Sequence, residues 1–126
     1  LSFSLLAFLL SLAVGFLSAN ILIVNNYRDY VQDKAAGKRT TIVLFGRGFG
    51  RVAYFVNGGL ALLLVFPLLL TAPVWLIALF GLFFVLFLAT WQELRRQEGR
   101  ALNATLGHTA RNVFLFSLLV SLLLCL

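Results

Sequence analysis

Charge is what this chain lacks most. Only 11% of its 126 residues are Asp, Glu, Lys or Arg and 62% are apolar, where soluble chains run at about a quarter and about half. The charges, ten basic and four acidic, fall in two windows, Arg28 to Arg51 and Glu93 to Arg111. Leu1 to Tyr27, Val52 to Gln92 and Asn112 to Leu126 hold none. A water-soluble helical domain needs a polar face on each helix. These stretches are apolar all round, which excludes an ordinary soluble fold and makes lipid the expected solvent. Cysteine is also nearly absent. The single Cys125 excludes a disulfide framework and, inside an apolar run, reads as a packing residue. Leu1 to Leu17 lacks both a basic start and an evident cleavage site, so it does not read as a secretory leader. The chain has no methionine and opens inside a hydrophobic pattern, which suggests a fragment whose amino-terminal part is absent. Acidic residues are few enough to leave a net charge of +6. The basic residues sit at span boundaries, however, as cytoplasmic-loop residues do, so nucleic acid is not the expected partner.

What is present is span after span. Crossing a bilayer takes roughly 20 apolar residues at about 1.5 Å each. Leu1 to Val24 satisfies that, and its helix is expected to continue into the polar residues that follow. Val52 to Gln92 is about twice the required length, with "TAPVW" and Pro73 near its middle. It reads as a helical hairpin over Phe49–Leu70 and Val74–Trp91. Asn112 to Leu126 begins a fourth span and needs Thr109 to Arg111 as its first turn. The expected fold is all-α, a polytopic transmembrane helix bundle forming one membrane-embedded domain over 1–126. Both charged windows fall at the same end of this bundle, and the positive-inside rule makes that end cytoplasmic. Tyr54 and Trp91 are expected in one aromatic belt and Trp75 in the other.

The one stretch crowded with charge is "NNYRDYVQDKAAGKRTT", Asn25 to Thr41. If the first helix runs on through Asp33, then Asn25, Asp29 and Asp33 recur every fourth residue on one face, with Asn26 and Gln32 at its margins. Two carboxylates a turn apart repel unless something positive lies between them. A hard cation such as Mg²⁺ takes oxygen ligands and is commonly shared between one or two carboxylates and a substrate phosphate. Gly37 can end the helix in a left-handed conformation. Lys38 and Arg39 then follow on a loop, where they suit phosphate oxygens. The composite reads as a metal–diphosphate site. The bland alternative is a set of solvated interfacial charges, with Asp29 paired to Arg28 and Asp33 to Lys38. Spacing alone leaves the two even.

This stretch, N-N-x-R-D-x-x-x-D-x-x-x-G-K-x-T, resembles the second aspartate-rich motif of the UbiA superfamily of intramembrane prenyltransferases. Its N-N-x-R-D form is most similar to the MenA branch, the 1,4-dihydroxy-2-naphthoate polyprenyltransferases of menaquinone synthesis. "GRALNATLGHTARNVFLFSLLVSLLL" resembles, more weakly, the carboxy-terminal end of that branch. The resemblance implies the carboxy-terminal part of a bundle of about nine transmembrane helices, with a partner motif of the form N-D-x-x-D-x-x-x-D in the absent amino-terminal half. It implies a multi-pass protein of a bacterial inner membrane and Mg²⁺-dependent transfer from prenyl diphosphate to an aromatic, dihydroxynaphthoate-like acceptor. Asp29 and Asp33 would be metal ligands and, with Lys38, catalytic; Asn25 would support the same face and, with Arg28, Lys38 and Arg39, contact the diphosphate. The fragment alone would be inactive. Two positions depart from the branch pattern: Thr41 replaces leucine, and Leu44 replaces an expected basic residue, a charge that Arg47 would have to supply.

The remaining features read as structural. "GRGFGR", 46–51, is expected to be the loop into the hairpin, since no strand–turn–helix unit surrounds it. Gly58, Gly59 and Gly81 are expected to permit close helix packing. His108 is expected on a loop, and Glu93 and Glu98 as intrahelical partners of arginine. Asn103 and Arg111 take a functional role only from the resemblance. Other aromatic acceptors (4-hydroxybenzoate, homogentisate, a porphyrin) stay open within the superfamily. Outside it, the alternative is a small non-catalytic membrane protein, such as a cation-binding transporter subunit.

Overall fold

A computed structural model describes residues 4–126. Six α-helices follow in order: α1 (Leu5–Arg28), α2 (Tyr30–Ala35), α3 (Thr41–Phe45), α4 (Arg47–Leu69), α5 (Val74–Arg96) and α6 (Leu102–Cys125), with one 3-10 turn at Gly99–Ala101 before α6. Among the described residues there is no strand. The expected all-α bundle is the fold observed. Helices α1, α4, α5 and α6 have 23 or 24 residues, about 35 Å each. All four are long and apolar enough to cross a membrane.

The long helices alternate in direction. Helix α1 packs against α4 and α6, and α5 packs against α6 and, less closely, α4. The result is a closed ring of antiparallel neighbours. The charged windows meet at one end, where Arg28 Nη1 donates to Asn103 Oδ1 at 3.0 Å and Arg47 lies 3.9 Å from Glu98. The opposite end is the uncharged turn around Pro73, which supplies the N-cap of α5.

Lipid offers no hydrophobic reward for bringing helices together, so small residues and interhelical hydrogen bonds have to do so. Gly58 shows the first device. A Cβ there would fall 2.0 Å from Phe87 Cζ, so the Phe87 ring occupies the place of a side chain. Gly59 and Gly81 have nothing within 4 Å of an added Cβ and do not share that role, contrary to expectation. The second device is a set of polar contacts. Asn20, fully buried, donates to the Tyr54 carbonyl at 3.0 Å and accepts from Asn57 at 3.0 Å. Tyr54 Oη lies 2.9 Å from Thr109 Oγ1, and Asn112 donates to Thr90 at 2.9 Å. Tyr54, 1% exposed and stacked 5.4 Å from Phe87, is therefore a core residue and not part of an aromatic belt. Trp91 donates its indole N–H to the Arg51 carbonyl at 2.9 Å. Cys125 is exposed, so the packing role read from its apolar neighbours does not hold.

Three boundaries differ from the sequence reading. Helix α6 begins at Leu102, seven residues before the expected first turn at Thr109–Arg111, because Leu102 and Thr105 are buried against other elements instead of lying in a loop. In "GRGFGR" only Gly46, at φ +92°, is a turn; Arg47 to Arg51 form the first turns of α4. Position 50 in this helix favours glycine because Ile42 and Tyr27 press against it, 2.8 and 3.1 Å from where a Cβ would stand. Helix α3, capped by Thr40 Oγ1 accepting from the Val43 N–H at 3.1 Å, had no sequence expectation.

Candidate functional site

The site is set by where the first helix stops. Helix α1 ends at Arg28, and Asp29 adopts φ −92°, ψ 10° between α1 and α2. Its N–H still donates to the Asn25 carbonyl at 3.2 Å, and its carbonyl accepts from Asp33 N–H at 2.8 Å. The expected run through Asp33 therefore persists with a one-residue break. The end of α2 has the two bonds of a Schellman turn. Lys38 N–H donates to the Asp33 carbonyl at 2.9 Å and Gly37 N–H to the Lys34 carbonyl at 3.3 Å, with Gly37 at φ +77°. This turn folds Lys38 back over the residue it was expected to accompany, and its ammonium lies 3.7 Å from the Asp33 carboxylate.

The polar residues form two groups. Arg28 joins the first. Its Nε donates to Asp29 Oδ1 at 2.9 Å, and its Nη2 donates to Asp29 Oδ2 at 3.2 Å and Asn25 Oδ1 at 2.7 Å. Its Nη1 reaches Asn103. This bidentate pair holds the Asp29 carboxyl below the ordinary carboxylate range. The hydrogen bond from Arg28 is the main cause, with the charges of Arg28 and Lys38 adding to it and partial burial opposing. The second group is Asp33 with Lys38, Asp33 being buried. Arg39 is exposed. The pairings of the bland reading are thus both present. They do not consume the carboxylates, because an ionised carboxylate has about four lone-pair sites and Arg28 uses two on Asp29. Asp29 also faces a cleft of about 370 Å³ lined by Arg28, Gln32, Gly99, Arg100 and Asn103; Asp33 does not.

Sequence reasoning missed the contacts that cross between windows. Arg47 lies over the rings of Tyr27 and Tyr30, 5.8 and 4.9 Å from their centroids, and beside Glu98, so its charge is engaged there. Its Nε is buried without a partner. Glu93 accepts from Thr105 at 3.2 Å and contacts His108 Nδ1 at 2.9 Å. Glu93 is therefore an interhelical partner and Glu98 pairs from its loop with the start of α4, neither of them intrahelically, and His108 stands on a helix, not a loop. Arg111 donates to its neighbour Asn112 at 3.1 Å. No local spacing announces these contacts; only the leucine–asparagine pair at 102–103 hinted at Asn103.

A family model described as the UbiA prenyltransferase family matches residues 1–124. The chain belongs to the UbiA prenyltransferase family. No curated protein and no solved structure matches it. UbiA membership fits a membrane bundle with its polar residues gathered at one end, and the family's name carries prenyl transfer as the general chemistry. No cluster of three or more His, Cys, Asp or Glu occurs among the described residues. In this UbiA chain the candidate metal donors are therefore Asp29 and Asp33, with the amide oxygens of Asn25 and Gln32 nearby. All are hard oxygen donors, and Mg²⁺ commonly takes one or two carboxylates and completes its shell with water and phosphate. The donor set fits.

Proposed function

We propose that this chain is part of a MenA-like prenyltransferase that moves a polyprenyl group from its diphosphate to 1,4-dihydroxy-2-naphthoate at the cytoplasmic edge of a bacterial inner membrane. The observation that carries the reading is the Asn25–Arg28–Asp29 cluster one helical turn from the Asp33–Lys38 pair, at the charged end of an apolar bundle. Asp29 and Asp33 would hold Mg²⁺, which when bound supplies Lewis-acid stabilisation of the leaving diphosphate. Lys38, largely exposed beside Asp33, would meet diphosphate oxygens, and Arg28 orients Asp29 and Asn25. Fixed positive groups aimed at charge that develops as a bond breaks are the strongest lever such a site has.

The allylic C–O bond breaks, its electron pair leaves with the diphosphate, and the allylic carbon becomes cationic. An electron-rich carbon of the acceptor forms the new C–C bond. The acceptor's carboxylate leaves as CO₂, and its bonding pair restores the aromatic ring. The apolar helices exclude the water that would otherwise capture the cation. The N-N-x-R-D form favours the naphthoate acceptor over other UbiA-type acceptors.

The test is the full-length enzyme in membranes. Asp29→Asn and Asp33→Asn should each abolish Mg²⁺-dependent prenyl transfer to dihydroxynaphthoate. Activity that persists in either variant overturns its role, and wild-type transfer only to another acceptor overturns the MenA-like assignment.

A further inference from the structure

The cleft beside Asp29 is built from both charged windows. Arg28, Asp29 and Gln32 form one wall; Gly99, Arg100 and Asn103, from the α5–α6 connection, form the other. Every lining residue is polar or glycine, so the cleft suits a hydrated head group. Two guanidiniums against one carboxylate leave it positive. The two guanidiniums are not equivalent, however. Arg28 already serves Asp29, Asn25 and Asn103. Arg100 is exposed, and among the described residues its guanidinium has no hydrogen bond or ion pair within the chain. It stands on the 3-10 turn that begins at Gly99, whose φ is +58°.

We propose that this cleft is a diphosphate subsite in which Arg100, from the second charged window, is the cation that meets the diphosphate while Arg28 holds the opposite wall. The inference rests on the reading of the chain as a prenyl-diphosphate enzyme and adds to it a residue outside the aspartate-rich stretch. Arginine suits the task because its planar fork matches two phosphate oxygens at once.

The experiment uses the full-length enzyme in nanodiscs, with Arg100→Gln and Arg100→Lys. A charge-assisted contact of this kind predicts that Arg100→Gln raises the KM for prenyl diphosphate about tenfold to a hundredfold. Inhibition by inorganic pyrophosphate should weaken by the same factor, with the acceptor KM unchanged and partial recovery in Arg100→Lys. Unchanged kinetics overturn the proposal, as does a rise in acceptor KM with pyrophosphate inhibition intact. If the wild-type enzyme transfers no prenyl group, binding of Mg²⁺–pyrophosphate separates the two claims. Binding that Arg100→Gln removes keeps the subsite and rejects the functional reading; no binding rejects both.

Discussion

Arg28 is the residue on which the candidate site turns, because one planar side chain bonds Asn25, Asp29 and Asn103 together. Lysine, a compact point charge, cannot reproduce that fork. Arg28→Lys should therefore lower kcat/KM at least about tenfold, the scale of losing charge-assisted bonds, while the protein still inserts and purifies as a folded species. The same pair makes a pH prediction. The folded-state pKa of Asp29 is depressed, so its contribution to stability is complete above the unfolded value near pH 4. That contribution is lost as pH falls through the lower folded value. Melting temperatures of wild type and Asp29→Asn in detergent should differ at neutral pH and converge on acidification. At this scale the sequence was readable for Asn25, Asp29, Asp33 and Lys38, because their spacing is local. It was silent on Arg100 and missed the contacts of Glu93 and Arg47, whose partners lie elsewhere in the chain.

At the scale of the helix, what a glycine does depends on what stands opposite it. Gly58 and Gly59 are adjacent and look alike in sequence. Only Gly58 faces Phe87, which in turn stacks on Tyr54. Gly58→Ala should destabilise the bundle by about 1–3 kcal/mol, the range for overpacking, and Gly59→Ala should be neutral or slightly stabilising. Thermal melts of the two variants in one detergent check the contrast. The same dependence on a partner explains the misplaced start of α6. Hydropathy finds apolar runs, so it set that helix near Asn112. The preceding "LNATLGHTAR" looks like a loop until Thr105 and Thr109 are seen buried, with Glu93 and Tyr54 as their partners.

For the whole molecule, the number of spans and their common charged end were legible from charge distribution, the length of Val52 to Gln92 and the turn at Pro73. Lipid excludes ionised side chains strongly enough that three uncharged stretches and two charged windows leave few topologies. The ring order of the helices was not legible, because spans that are apolar on every face carry no stripe to say which side meets a neighbour. The topology predicts opposite labelling from the two sides. With Cys125 replaced by Ser, a cysteine at Thr71 should react with an impermeant maleimide only from outside intact cells. One at Gln97 should react only after the membrane is opened. Reaction of both from the same side would break the four-span arrangement.

Gathering every charge at one end has an electrical consequence. The long helices alternate in direction, so their dipoles oppose in pairs and the side chains dominate the imbalance. The net charge is +6. Moving one elementary charge across a membrane takes about 2.3 kcal/mol per 100 mV. Inverting this bundle against an interior-negative potential would therefore cost about 14 kcal/mol per 100 mV. An energised membrane therefore favours the charged end on its negative side, and a collapsed one removes that bias without altering a single contact within the protein.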